Sequence, residues 1–211
     1  MTPGEFVACL GRERASAILR TSDADAAGPA MEAAVRGGFR VVEFTLTTPG
    51  ALDRIAEFAK RPGLVVGAGT VMTADDAREA VARGARFLVS PVVDEAVIAA
   101  ARRLDVAALP GACTPTEMLR AHRAGAPLVK LFPAPADGPT YVRQIVGPMP
   151  FLKIVPTAGV SEKNAAAYLR AGAFAVGFVS SLFRAEDVAA RRWEAVEERA
   201  RVLLAAAAAA P

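Results

Sequence analysis

TPTEMLRAHRAGAPLVKLF, residues 114–132, holds one complete helix-to-strand unit with its own start and stop signals. Thr114 is a capping residue, Pro115 takes the first helical position, and Glu117 follows the cap by three. The threonine hydroxyl satisfies one orphan amide, the glutamate satisfies another in return, and proline presets φ. This pattern predicts a helix over 115–123. Gly125 stops it, because glycine adopts the left-handed helix terminus without a Cβ clash. LVKLF (128–132) then reads as a short apolar strand.

The same unit recurs in both directions. Candidate strands are SAIL (16–19), VVEF (41–44), LVVG (64–67), RFLV (86–89), VAAL (106–109), LVKLF (128–132), LKIV (152–155) and AVGF (175–178). Helical stretches include 51–60, 74–82 and 94–103. Gly37, Gly84 and Gly172 end such stretches as Gly125 does, and each is expected to carry a left-handed turn. Eight strands alternating with helices at intervals of about 20–25 residues is the arithmetic of a (β/α)8 TIM barrel near its lower size limit. A doubly wound α/β sheet would alternate too. It needs a glycine-rich turn after its first strand, where Leu19-Arg20-Thr21-Ser22 stands instead. The expectation is a single barrel domain over 1–211, with 205–210 or so a fraying alanine-rich tail.

Composition removes several function classes. A hydrophobic fraction of 53% and mean hydropathy of +0.31 suit a compact globule with buried strands. No apolar run approaches the ~18 residues of a membrane helix. The opening MTPGEFVACLGRERA lacks the basic and apolar regions of a signal peptide, so a cytoplasmic protein without a membrane partner is expected. Net charge is only +3 and arginine never forms a stripe, so no nucleic-acid partner is expected. Cys9 and Cys113 are too few and too far apart for a disulfide framework or metal site, and Cys113 reads as a small buried thiol. His122, the one histidine, falls on a helix and reads as a surface residue, so no metal is expected.

A TIM barrel builds its active site at the carboxyl ends of its strands. The polar groups there are Arg20, Glu43, Thr45, Thr70, Ser90, Lys130, Thr157, Ser180 and Ser181. Lys130 is the most informative. Only four of the 25 basic residues are lysine, and this one interrupts an apolar strand. Alternation puts Leu128, Lys130 and Phe132 on one face, and Val129 and Leu131 on the other. If the first face points inward, desolvation leaves a neutral, nucleophilic amine. Lysine can also snorkel from a strand end, which suits Lys153 at the start of its strand. Glu43, among apolar neighbours, is either a proton shuttle beside that amine or half of a structural salt bridge to Arg20. The GAGT turn at 67–70 and the loops after strands seven and eight offer amides and hydroxyls suited to an anion.

GGFRVVEFTLTTP, VVGAGTV, FLVSP, LPGACTPTE, VKLFPA and VPTAGV occur in that order over nearly the whole chain. As a set they resemble the 2-keto-3-deoxy-6-phosphogluconate / 4-hydroxy-2-oxoglutarate aldolase family. The resemblance implies a class I, Schiff-base mechanism with no cofactor, an α-keto acid substrate and a homotrimer. It implies that Lys130 is the Schiff-base amine and Glu43 the acid/base. Thr70 would contact the pyruvyl carboxylate and Pro91 would line the site. Thr157, Gly159 and Ser180 would lie near the distal, phosphate-bearing end.

Three positions depart from the family pattern. Thr47 stands where some relatives carry an arginine, and Arg20, at the end of the first strand, is expected to supply that charge. Ala158 and Val179 stand where glycines are usual in the two anion loops. The leading expectation is reversible cleavage of 2-keto-3-deoxy-6-phosphogluconate to pyruvate and glyceraldehyde 3-phosphate. Cleavage of 4-hydroxy-2-oxoglutarate to pyruvate and glyoxylate is the near alternative. A phosphate-binding barrel isomerase using Glu43, and a non-enzymatic keto-acid sensor, are the alternatives from other classes.

Overall fold

A computed structural model describes residues 1–209. Eight parallel strands form the wall: β1 (Ala15–Leu19), β2 (Val41–Thr45), β3 (Val65–Gly69), β4 (Phe87–Ser90), β5 (Ala107–Ala112), β6 (Val129–Leu131), β7 (Ile154–Pro156) and β8 (Val176–Phe178). Their order is β7-β6-β5-β4-β3-β2-β1-β8. The ends of that row meet where the Phe174 amide donates to the Ile154 carbonyl at 2.8 Å, so the sheet curls into a nearly closed barrel. The helices are α1 (Pro3–Glu13), α2 (Ala24–Arg36), α3 (Ala51–Phe58), α4 (Ala74–Ala82), α5 (Glu95–Arg103), α6 (Pro115–Arg123), α7 (Gly138–Val146), α8 (Ala165–Arg170), α9 (Ala185–Ala189) and α10 (Trp193–Ala208). The TIM barrel expected from the alternation is the fold found, and the doubly wound alternative is excluded.

Each strand is buried on both faces, which is why the strands read as apolar runs rather than alternating ones. Outward residues such as Val42, Phe44, Val129 and Leu131 pack against the helices. Inward residues such as Val41, Val89, Leu109, Leu128 and Val155 form a second core inside the barrel.

α1 closes the floor of that interior. Thr2 and Glu5 form a capping box around Pro3, and Phe6, Cys9 and Leu10 are buried. The Phe6 ring stacks on Phe87 of β4 with centroids 4.4 Å apart. Burying one such phenyl group contributes about 2–3 kcal/mol.

Predicted details hold in most places. The capping box at Thr114 and Glu117 is formed, and α6 spans the predicted residues. Gly84, Gly125 and Gly172 have φ of 104°, 100° and 101°. Gly37 is a correction: its φ is −69°, and the left-handed residue is Gly38. Gly37 is small for a packing reason, since a Cβ there would lie 2.3 Å from Ala200 Cβ on α10. The tail is a second correction. Residues 205–208 belong to α10, and Ala207 is buried, because this last helix packs onto the barrel's outer layer; Ala210 lies outside the described residues. Cys9 is buried, but Cys113, expected to be buried, is only half-buried, because β5 ends before it at the barrel mouth. His122 is exposed, its ring 4.8 Å from that of Phe151. Among the described residues no helix is long and apolar enough to cross a membrane.

Candidate active site

Lys130 sits in the middle of β6 and points into the barrel with Leu128, while Val129 and Leu131 face the helices. Its side chain is almost wholly enclosed, 8% exposed, with Nζ 5.0 Å from the centre of the Phe132 ring. Burial draws its pKa below the ordinary lysine value, the nearby Glu43 carboxylate works against this, and Arg20 adds to the lowering. Burial thus works toward the neutral, nucleophilic form.

Glu43 occupies the middle of β2, is 2% exposed, and has no hydrogen-bond partner at Oε1. Burial raises its pKa, opposed by the charges of Lys130 and Arg20. Room for the carboxylate comes from β3. Gly69 lies beside it without a side chain, and a Cβ there would stand 1.9 Å from Glu43 Oε1. Gly67, one inward position deeper, leaves the same kind of room for the Phe87 ring.

The structural bridge between Glu43 and Arg20 is not formed. Arg20 Nη2 instead donates to Thr70 Oγ1 at 3.3 Å, spanning β2 from the exit of β1 to the exit of β3. Thr70 holds φ at 58°, a left-handed conformation that costs a non-glycine residue about 1–3 kcal/mol. A guanidinium and a hydroxyl are thus paired above the amine, where a carboxylate would find two donors. A threonine network braces this rim: Thr45 Oγ1 is 3.1 Å from the hydroxyls of both Thr47 and Thr48, and the Thr21 amide donates to Thr48 Oγ1 at 3.2 Å.

An open cleft of about 790 Å³ runs from Arg20 across the exits of β1, β2 and β8. Thr47, Val179 and Ser180 line it with Asp23, Phe183 and the apolar residues of α9. Val179 needs no left-handed backbone, so its effect is steric, through a side chain facing the cleft. Ala158 has taken a left-handed conformation, φ 46°, beside Gly159 at φ 78°. Pro91 follows β4, its carbonyl so near β5 that a Cβ at Gly111 would stand 2.3 Å away.

Thr157 follows β7, two residues beyond the Val155 that pairs with Lys130. It is 3% exposed, and its buried Oγ1 has no partner. It shares a small void of about 10 Å³ with Glu43, Lys130 and Ser16. The structure therefore gathers Lys130, Glu43 and Thr157 inside, and Arg20, Thr70 and Ser180 at the mouth. Ser16 was missed by reasoning from strand ends, because it lies deep on β1. Its signal was the inward alternation Ser16, Ile18, Arg20. Among the described residues no cluster of three or more histidine, cysteine, aspartate or glutamate side chains could hold a metal ion.

A buried amine and a buried carboxylate inside a barrel whose mouth offers carboxylate donors are the equipment of an aldolase. The comparisons with known proteins agree. The family model described as "Aldolase: KDPG and KHG aldolase" matches residues 8–199. A 2-dehydro-3-deoxy-phosphogluconate aldolase of Pseudoalteromonas atlantica is 34% identical over 193 residues, covering 90% of each chain. A KHG/KDPG aldolase of Escherichia coli is 38% identical over 143 residues, 67% of each chain. A KDPG aldolase of Legionella pneumophila, solved with pyruvate captured as a covalent carbinolamine, superposes with TM-score 0.85 at 28% identity over 93% of this chain and 97% of that one. The chain belongs to the KDPG and KHG aldolase family and is a carbon–carbon lyase. Family membership sets aside the isomerase and sensor readings.

Proposed function

We propose that this aldolase cleaves 2-keto-3-deoxy-6-phosphogluconate reversibly to pyruvate and glyceraldehyde 3-phosphate through a Schiff base on Lys130. The observation that carries the reading is the desolvated Lys130 amine sharing the barrel interior with Glu43. The neutral amine adds to the C2 ketone, and loss of water from the carbinolamine gives an iminium. Arg20 and Thr70 hold the C1 carboxylate. Glu43 takes the C4 hydroxyl proton, the C3–C4 electron pair moves into the iminium, and the aldehyde departs. The enamine is then protonated at C3 with help from Glu43, and hydrolysis releases pyruvate. The iminium is the electron sink, so no metal or cofactor is required. Pro91 lines the site, and Gly159 and Ser180 meet the distal end of the substrate. For Thr157 its buried position favours a role beside Glu43 over one at that distal end.

A second reading is 4-hydroxy-2-oxoglutarate. It is favoured by Val179, whose side chain takes up space in the distal cleft. The kcat/KM ratio for the two substrates separates them. Incubation with pyruvate and borohydride tests the shared chemistry: the reduced adduct is expected on Lys130, and the absence of any adduct overturns the Schiff base. We also propose one domain over residues 1–211 and a cytoplasmic homotrimer. Exposed Met72 and Val92, at the exits of neighbouring strands β3 and β4, support the association. Sedimentation velocity tests it.

A further inference from the structure

Behind the open cleft lies a buried ion cluster that the Schiff-base chemistry does not use. The cleft has two banks. One is built from the exits of β1 and β2, with Arg20, Asp23 and Thr47. The other is a single stretch of chain, the turn after β8 followed by α9, which presents Val179, Ser180, Phe183 and Val188. α9 is only five residues long. A helix that short does not hold its shape unaided, so the position of this bank is set by what packs behind it.

That support is α10. Val196, Ala200 and Leu203 bury its inner face, and it lies so close to α2 that a Cβ at Gly37 would stand 2.6 Å from the Glu197 carbonyl oxygen. Arg199 projects from this fixed helix and is 14% exposed. Its guanidinium is forked: Nη1 donates to the Leu182 carbonyl oxygen at 2.9 Å, and Nη2 to Asp187 Oδ2 at 2.5 Å. Leu182 belongs to the turn after β8, where the amides of Leu182 and Phe183 donate to the Val179 carbonyl at 3.1 and 2.9 Å. Asp187 belongs to α9 and is 4% exposed. One side chain therefore grips both parts of the bank. Arg192 Nε donates to the other carboxylate oxygen of Asp187, Oδ1, at 2.6 Å, and among the described residues it has no hydrogen bond to the turn.

We propose that Arg199, locked by Asp187, is a positioning residue that sets the far wall of the cleft and with it the fit of the substrate's distal end. Neither residue lines the cleft, so both act through Val179, Ser180, Phe183 and Val188 rather than by touching substrate. A planar fork suits this task, because it fixes a carbonyl and a carboxylate in one geometry where a single point charge cannot. The pyruvyl end is held by other elements: Lys130 on β6, Glu43 on β2 and Arg20 at the exit of β1. A loosened wall should therefore weaken binding of whole substrate and spare pyruvate. This kinetic consequence rests on the proposed aldol cleavage, but the grip on the turn does not.

The test compares Arg199→Met, Arg199→Lys and Arg192→Met in the full-length protein. Amide hydrogen exchange at Leu182 and Phe183 is read without substrate. KM for the better of the two proposed substrates is read beside half-saturation for pyruvate in borohydride trapping. Arg199→Met should speed the exchange and raise KM by about tenfold each, the order of one charge-assisted hydrogen bond, with pyruvate half-saturation unchanged. Arg199→Lys keeps a charge against Asp187, so it folds even if Arg199→Met does not, and it should show the same changes in smaller measure. Arg192→Met removes a comparable ion pair from Asp187 and should leave both exchange and KM near those of the parent. Exchange unmoved in both Arg199 variants overturns the inference. So does an Arg192→Met protein that matches Arg199→Met, or a rise for pyruvate equal to the rise in KM. Failure of the unaltered protein to trap pyruvate overturns the Schiff base alone, because the exchange is read without turnover.

Discussion

Gly69→Ala separates the two halves of the proposed catalytic pair. Gly69 has no left-handed φ, so alanine suits its backbone and any effect comes from the added methyl group. That Cβ would stand 1.9 Å from Glu43 Oε1, 2.8 Å from Cδ and 3.1 Å from Cγ. Ordinary contact needs roughly 3.5 Å, so the carboxylate oxygen must retreat by about 1.5 Å within a packed interior. A misplacement of about 1 Å costs around 10²-fold in a positioned catalytic group, and the whole acid/base contribution is about 10²–10⁴-fold. The expected kcat loss lies in that range. Overpacking costs about 1–3 kcal/mol, partly offset by the ~0.4–1 kcal/mol that alanine removes from the unfolded chain's entropy. The variant should therefore fold, with Tm lower by only a few degrees. Steady-state kcat at saturating substrate and borohydride trapping of pyruvate are the paired assays. Trapping should persist, because Lys130 lies on a different strand. Gly67→Ala is the control: its Cβ meets the Phe87 ring at 2.4 Å, so it should lower Tm and leave kcat largely intact. A folded Gly69→Ala protein with kcat within about threefold of the parent refutes the role given to the Glu43 carboxylate.

Glu43→Gln should raise thermal stability at pH 8 and lower kcat by about 10²–10⁴-fold. Burial holds the folded pKa of Glu43 above its unfolded value, so its stabilising contribution is full below the unfolded value and is lost as pH rises through the folded one. The Tm gain should thus shrink toward pH 4, and a gain independent of pH counts against the buried carboxylate. Arg20→Ala should raise KM for pyruvate-type ligands roughly tenfold with a smaller change in kcat, and unchanged kinetics would remove Arg20 from the carboxylate site. Asp187→Asn tests the tie between α9 and α10. Burial pushes the Asp187 carboxyl up, but Arg199 and Arg192, at 2.5 and 2.6 Å, hold it below its ordinary value. Its contribution is present above the unfolded pKa and lost as pH falls through the folded one. The variant should be about 3 kcal/mol less stable at pH 7, converging on the parent toward pH 3, and equal Tm values at pH 7 would refute the tie.

The barrel was legible because its signals are local. Caps such as Thr114-Pro115-Thr116-Glu117 act within one turn, and strands buried on both faces announce themselves as apolar runs. Lys130 and Glu43 were legible for a related reason, since a charge inside such a run has nowhere dry to hide. The floor helix carries the same signal in Thr2-Pro3-Gly4-Glu5. Gly37 shows the limit of the local argument. A glycine two residues past a helix and one held small by Ala200 look alike until α10 is in place. The inward direction of Thr157, and the depth of Ser16, depend on register around the whole barrel. No single strand records that.

The floor under the site has a consequence for the order in which the chain becomes reactive. Phe6 of α1 stacks on Phe87 of β4, and α1 also packs on β5 and β1, so the floor is complete only when those strands share one wall. The burial that draws the Lys130 pKa down is therefore a property of the finished barrel and not of β6 alone. On the proposed Schiff-base reading, closing the floor is part of what makes the amine reactive.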